Sequence, residues 1–386
     1  MNEPYFWGYA RPNGSYGIRN YVAVISASDN ANFVARRIAS LVRGAVAACP
    51  SHGRGEVAED LKQHVTTLGG LGCNPNVYAA IVVAMEPVIA GRVADRIRQS
   101  GKPVEIVTID DFGGSMGATM AGVHLAERMV IEASRQLRVK VGMEHLTLGV
   151  ECGGSDPTSG VVANPATGKV SDRIVALNGT VILSETAEWM GAEQFLSERA
   201  ATPELAGEIV GAVKWYEDYM KQVGVDIAGT NPAPDNIKGG LSTIEEKSIG
   251  AIKKGGSTTI QGMIKNGQAT NLKGLVLMDA PPPGVENITA LGAGGCQAII
   301  FSTGKGNAIG NPFVPTIKTT GNPRTAENCG DNIDVDLSGV VSGKMTLDQA
   351  GEYLFDCLIE HLNGKLTTAE VLGDLEITVT RDGYTV

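Results

Sequence analysis

The feature that most constrains this chain is a rhythm of short Val/Ile-rich runs separated by segments of helical length. Residues 21–26 (YVAVIS), 44–48, 79–85 (AAIVVAM) and 104–109 (VEIVTI) are apolar nearly throughout rather than alternating. Between them residues 30–42, 56–68 and 88–99 carry helical periodicity, and 117–137 reads as a long amphipathic helix. A strand that is apolar on both faces must be covered on both faces, so the pattern predicts an α/β fold with a parallel sheet between helical layers. In such sheets ligands sit beyond the carboxyl ends of the strands. There the sequence places three polar segments: residues 26–30 (SASDN), residues 50–56 (PSHGRGE) and Glu86-Pro87.

A second series begins near Leu146, with expected strands at 147–152, 181–184, 275–278 and 298–302 and helices at 203–223 and 347–362. The 386 residues therefore divide into an expected N-terminal Rossmann-like parallel-sheet domain over 1–140 and a larger α/β domain over 141–386. With 43% hydrophobic residues a large core is available, and the 50 glycines have no collagen-like period, so they belong to tight turns and backbone-lined pockets. A net charge of −10 with 5% aromatics argues against a nucleic-acid binder or a basic membrane-surface protein. No apolar run approaches a membrane span, and the start Met1-Asn2-Glu3-Pro4 carries no secretory leader. Cysteines 49, 73, 152, 296, 329 and 357 are isolated, with no zinc spacing, as expected of a reduced, cytoplasmic protein.

Four constellations can carry chemistry. Gly153-Gly154-Ser155-Asp156 follows a strand and reads either as a helix N-cap turn or as an anion-binding loop. Glu185, Glu188 and Glu193 cluster after another strand, as acid/base or metal carboxylates or as a negatively charged helix start. Glu245-Glu246-Lys247 and Lys253-Lys254 fit a solvated ion-pair helix or a buried lysine base. Thr303-Gly304-Lys305-Gly306-Asn307 is a glycine-rich loop without Walker A spacing. Of five histidines, His52 alone lies in a glycine-flanked strand end, while His64, His124, His145 and His361 read as structural. No Gly-x-Gly-x-x-Gly fingerprint follows the first strand, where a dinucleotide site needs one.

The motifs together resemble the altronate/galactarate dehydratase family over nearly the whole chain. They are Gly8-Tyr9-x-Arg11 through Arg19-Asn20, Cys152-Gly153-Gly154-Ser155-Asp156 with Ala163-Asn164-Pro165, Leu183-Ser184-Glu185-Thr186, 239–248 (GGLSTIEEKS), Thr303-Gly304-Lys305-Gly306 and Asp331-Asn332-Ile333-Asp334. The resemblance implies a lyase that performs β-elimination on a small anionic 2-hydroxy acid, with iron(II) or another divalent metal. Two departures stand out. The family's three strand-end cysteines correspond to Asn30, Glu56 and Met85. Any metal would then need oxygen or imidazole ligands, with Asp29, His52, Glu56 and Glu86 as candidates. The family's small SAF-type domain is also missing ahead of Gly8. Both departures resemble the branch that cleaves sulfolactate to pyruvate and sulfite, whose large subunit pairs with a separate small SAF-type subunit. A sugar-acid hydro-lyase and a non-catalytic dehydratase-like subunit are the alternatives. On this reading His52, Lys247 and Glu185 are catalytic candidates, and Arg19, Arg54 and Lys305 are oxyanion clamps. Gly153, Gly154, Ser155, Asp156, Thr303, Gly304 and Asn307 supply loop contacts to substrate. A homo-oligomer of the large subunit is expected.

Overall fold

The chain, described over residues 4–226 and 230–386 in a computed structural model, opens with β1 (Tyr5–Ala10) and β2 (Tyr16–Gly17). There follow β3 (Tyr21–Ser26), α1 (Asn32–Leu41), β4 (Ala45–Ala48), α2 (Ala58–Cys73), β5 (Val77–Ala84), α3 (Pro87–Arg98), β6 (Val104–Thr108) and α4 (Ser115–Ser134). These strands form an all-parallel sheet of order β4-β3-β5-β6, buried on both faces as the apolar runs require. The α/β expectation holds, and element ends fall within a few residues of the expected ones except in α2.

The helix α2 was expected to stop at Leu68, before Gly69-Gly70, but runs on to Cys73. Its glycines serve close packing rather than termination. A Cβ on Gly70 would lie 2.6 Å from the Ala293 carbonyl oxygen, and one on Gly72 would lie 2.4 Å from Ile97.

After β7 (Val139–Gly142), which pairs antiparallel with β1, come β8 (Thr147–Cys152), α5 (Asn164–Ala176), β9 (Thr180–Leu183), β10 (Ile260–Lys265), β11 (Gly274–Asp279), β12 (Ala298–Ser302), β13 (Thr316–Thr320) and β14 (Val335–Asp336). The last seven strands form a second parallel sheet, β10-β11-β9-β8-β12-β13-β14. The chain winds outward from β8 in one direction and then in the other, so a topological switch point lies between β8 and β12. The smaller sheet has its own between β3 and β5.

The two sheets are one body. A single apolar cluster joins Ile25 and Val82 of the small sheet, Leu68 and Leu71 of α2, Ile288 and Leu291 of the helix Gly284–Ala293, and Val276 and Ile299 of the large sheet. The helix Gly284–Ala293 lies beside α2. At their carboxyl ends Asn74 Nδ2 donates to Gly292 O at 2.8 Å and to Cys296 O at 2.9 Å. The two helices therefore run parallel, and each begins where the strands of its sheet end. Both sets of strand ends open on the same side of the molecule. Among the described residues no helix is long and apolar enough to cross a membrane.

Candidate functional site

The loop after β4 carries His52 and Glu56, and α2 carries His64 on its second turn. One ligand atom from each of the three lies within 4.8 Å of the others. His52 Nε2 and His64 Nδ1 approach Glu56 Oε1 at 3.4 Å and 3.2 Å, yet without hydrogen-bond geometry. Four buried polar atoms, His52 Nε2, both Glu56 oxygens and His64 Nδ1, are thus left without a hydrogen-bond partner. Buried polar atoms rarely stay unpaired. Backbone geometry enforces the convergence. His64 Nε2 lies 2.9 Å from the Ala27 carbonyl, an oxygen that only accepts, so Nε2 carries the proton and Nδ1 keeps its lone pair. Gly53 has φ +145, and a Cβ there would strike His64 Cε1 at 2.8 Å and Ser28 Cα at 2.9 Å. Burial lowers the His52 pKa, which favours the neutral, lone-pair-bearing ring. Two imidazoles and one carboxylate with open positions fit a divalent metal of the iron(II) type.

A second cluster lies at the ends of β8 and β9. Lys254 Nζ sits 2.6 Å from Glu185 Oε2 and 3.2 Å from Cys152 Sγ, with the Lys254 and Glu185 side chains each 1% exposed. Glu151, fully buried beside them, has both oxygens unpartnered. Burial pushes the Glu151 carboxyl well above the usual carboxylate range, and the Glu185 charge adds to it. Burial also lifts Glu185 to about 7, with Lys254 opposing. Burial works against the Lys254 charge, but Cys152 and Glu185 outweigh it and hold the ammonium above the ordinary lysine value. Glu185 adopts a left-handed backbone, φ 73, which for a non-glycine residue marks local strain. Nearer solvent, Lys247 Nζ bonds Glu188 Oε1 at 2.6 Å and Asn231 Oδ1 at 2.8 Å, leaving Glu188 Oε2 buried and unpartnered.

The loops Gly153–Asp156 and Thr303–Asn307 meet at the switch point between β8 and β12, and they are stitched to each other. Gly304 N and Lys305 N donate to Gly154 O at 3.2 and 3.0 Å, Gly153 N to Ser302 O at 3.0 Å, and Gly306 N to Thr303 Oγ1 at 3.0 Å. Asp156 is a local cap: its carboxylate accepts from Ser159 N, Thr158 Oγ1 and Asn322 Nδ2. Only the N–H groups of Gly154, Ser155 and Asn307 remain without a protein acceptor among the described residues of these loops.

Residues 143–385 match the D-galactarate/Altronate dehydratase, C-terminal family, and residues 8–134 match the D-galactarate dehydratase/Altronate hydrolase, second domain. The chain belongs to the D-galactarate/altronate dehydratase family. Within that family it is 37% identical over 378 residues to (2R)-sulfolactate sulfo-lyase subunit beta of Chromohalobacter salexigens, covering 97% of each chain. It is 29% identical over 405 residues to altronate dehydratase of Bacillus subtilis, covering 99% of this chain and 78% of that enzyme. Galactarate dehydratase (L-threo-forming) of Escherichia coli matches at 32% over 246 residues, 64% of this chain and 47% of that enzyme. These relatives are lyases, and so is this chain.

For a member of this dehydratase family, the structure redistributes the expected site residues. Of the four expected metal ligands it brings together His52 and Glu56. Asp29 is exposed, close enough for its charge to act on His52, and Glu86 is exposed as the residue preceding α3. His64, expected to be structural, is the third member, and its i+12 spacing from His52 gave no signal because a turn and half a helix intervene. Arg19 is corrected from clamp to tie: its guanidinium pairs with Glu370 at 2.7 Å and donates to the His361 and Lys365 carbonyls. Lys305 reaches the Asp235 carbonyl and carboxylate. Arg54 is exposed and makes no hydrogen bond or ion pair among the described residues. Of the ion-pair helix expected around 245–254, the charged residues Glu245, Glu246 and Lys253 are exposed; Lys247 is largely buried and Lys254 wholly so.

Proposed function

We propose that this chain is the large subunit of a lyase that cleaves (2R)-3-sulfolactate to pyruvate and sulfite, acting with a small SAF-type subunit. The observation that carries the reading is the convergence of the four unpartnered atoms of His52, Glu56 and His64 at the strand ends of a lyase-family chain. The end-to-end likeness to a sulfo-lyase beta subunit supplies the substrate class.

His52, Glu56 and His64 would hold a divalent ion, with iron(II) the first candidate. When bound it supplies positive charge to the anionic substrate and to the enolate that develops. The chain's own residues handle the proton. The Lys247 ammonium fixes one oxygen of Glu188, and the free Glu188 Oε2 accepts the proton from the carbon bearing the substrate's hydroxyl. As that C–H bond breaks, its electrons form the carbon–carbon double bond, and the C–S bonding pair leaves with sulfite. The enol then loses its hydroxyl proton and gains one on carbon to give pyruvate. Sulfite leaves without protonation, unlike hydroxide, so the site needs no strong acid aimed at the leaving group. Glu151 keeps its proton in the buried cluster, and the Lys254–Glu185 pair beside it lies close enough to Lys247 and Glu188 for their charges to interact.

The test is direct. The purified chain, combined with its small subunit and loaded with iron(II), is given (2R)-3-sulfolactate while sulfite and pyruvate are measured. Equal release of both is expected. Release of neither, with dehydration of altronate or galactarate to a 2-oxo acid instead, overturns the reading in favour of the sugar-acid activity its other relatives carry.

A further inference from the structure

The segment after the last helix is held across the shared strand-end face over residues 377–383. Ile377 and Val379 are buried in the cluster that joins the two sheets. Thr380 is fixed on the large-sheet side: its Oγ1 lies 3.3 Å from Glu286 Oε2 at the start of the helix Gly284–Ala293 and accepts from Asn266 Nδ2 at 3.0 Å. Asp382 and Gly383 are fixed on the small-sheet side. Their N–H groups both donate to the buried carboxylate of Asp60, at 2.9 Å each, in the first turn of α2. The strap thus bridges the amino-terminal ends of the two parallel helices.

Arg381 lies between these two anchors. Asp60 and His64 are one turn apart on α2, so the Asp60 anchor brings the strap to the same helix face as the candidate metal ligand. Arg381 is close enough for its charge to act on His52. Its guanidinium makes no hydrogen bond, ion pair or ring contact among the described residues, although its neighbours on both sides are tied down. Arg54, in the loop between His52 and Glu56, is likewise unpaired. Arg381 is exposed, so its guanidinium is open to a ligand arriving from solvent.

We propose that Arg381 is a substrate-binding residue that takes an oxyanion of the substrate at the mouth of the His52–Glu56–His64 centre. The ligand chemistry is a sulfonate or carboxylate group, for which the planar guanidinium fork offers paired donors. This rests on the lyase reading above and adds to it the residue that the strap contributes. It also gives the strap a role: it delivers a cation from far along the chain to the His52–Glu56–His64 centre.

The test uses the iron-loaded complex of the chain with its small subunit, as wild type, Arg381→Ala and Arg381→Lys. Inorganic sulfite and L-lactate, which shares the spatial configuration of (2R)-3-sulfolactate, are titrated separately by calorimetry, alongside steady-state kinetics on sulfolactate. Arg381→Ala is expected to weaken binding of one of the two probes by about tenfold, the loss of one charge-assisted contact. Loss confined to sulfite assigns Arg381 to the sulfonate, and loss confined to L-lactate assigns it to the carboxylate. KM should rise with kcat little changed, Arg381→Lys should recover part of the affinity, and iron content and melting temperature should stay at wild-type values. Unaltered affinity for both probes overturns the proposal. If wild type binds the probes but turns over no sulfolactate, the substrate reading fails while the oxyanion site stands.

Discussion

His64 Nε2 lies 2.9 Å from the Ala27 carbonyl, and that one hydrogen bond decides which face of the ring is free. It fixes the tautomer, aims Nδ1 at Glu56 and ties α2 to the loop after β3, across the switch point of the small sheet. Replacing His64 with Ala, or Glu56 with Gln, should therefore weaken iron(II) or manganese binding by more than the roughly 10–100-fold that loss of an outer hydrogen-bond partner costs. Glu86→Gln should leave it unchanged. Metal content after dialysis decides, and equal content in all variants would remove the centre.

Lys254 and Glu185 form a buried pair, and breaking such a pair leaves one charge stranded. Lys254→Met should destabilise the fold by about 3–5 kcal/mol in urea unfolding. Adding Glu185→Gln to it should recover most of that loss, because both charges then go together. Glu151→Gln should be nearly silent, since the carboxyl it replaces already holds its proton. A strong effect of Glu151→Gln with none of Lys254→Met would reverse the charge assignment.

The Glu185 carboxyl also gives the fold a pH signature. Its pKa is raised from an ordinary 4.5 to about 7, by burial first and against the opposing Lys254. A carboxyl raised in this way favours the fold in its protonated form. Its contribution is complete below about 4.5 and is lost as pH climbs through about 7. The stability of wild type relative to Glu185→Gln should fall across that window and then level off. A difference that stays flat, measured by denaturant titration at a series of pH values, counts against the shift.

Lys247 and Glu188 should govern rate rather than folding. Both side chains are largely buried, and each keeps a role the other cannot replace. Glu188→Gln, which removes the proton acceptor, should lower kcat by about 100-fold or more. Lys247→Met should lower it to a similar degree with normal metal content. Near wild-type turnover in both would assign proton transfer to another group.

Arg19 and Glu370 should behave in the opposite way. Burial alone would raise the Glu370 carboxyl, but Arg19 outweighs it and holds the pKa below the ordinary range. Arg19→Ala strands that carboxylate and should cost about 3–5 kcal/mol of stability. Its KM for any anionic substrate should stay normal at temperatures where the variant is folded. A raised KM without loss of stability would restore Arg19 to the substrate.

How far the site could be read in advance follows from how its parts are held. His52 and Glu56 share one short polar loop at a strand end, so position alone marked them. His64 looked structural because helical spacing says nothing about which way a ring faces; only the Ala27 carbonyl settles that. Lys254 sat in a run that reads as solvated, and its burial depends on α5, whose Ser171 accepts no role in the motif yet bonds the Lys254 carbonyl at 2.7 Å. The loops at Gly153 and Thr303 were recognisable as strand-end turns, but their mutual hydrogen bonds, which take up the Gly304 and Lys305 N–H groups and leave those of Gly154, Ser155 and Asn307 open, belong to the pairing of β8 with β12.

Sequence by itself determined the layered α/β architecture and the strand ends where chemistry gathers, because apolar runs buried on both faces leave polar residues only at their termini. It also carried the family through motifs that stand in order along the chain. Tertiary structure alone decided which charges meet. Glu185 finds Lys254, Arg19 finds Glu370, and residues 380–383 find α2 only once two sheets pack through parallel helices. Electrostatic partners far apart in sequence leave no local pattern to read, since their pairing is set by packing and not by periodicity.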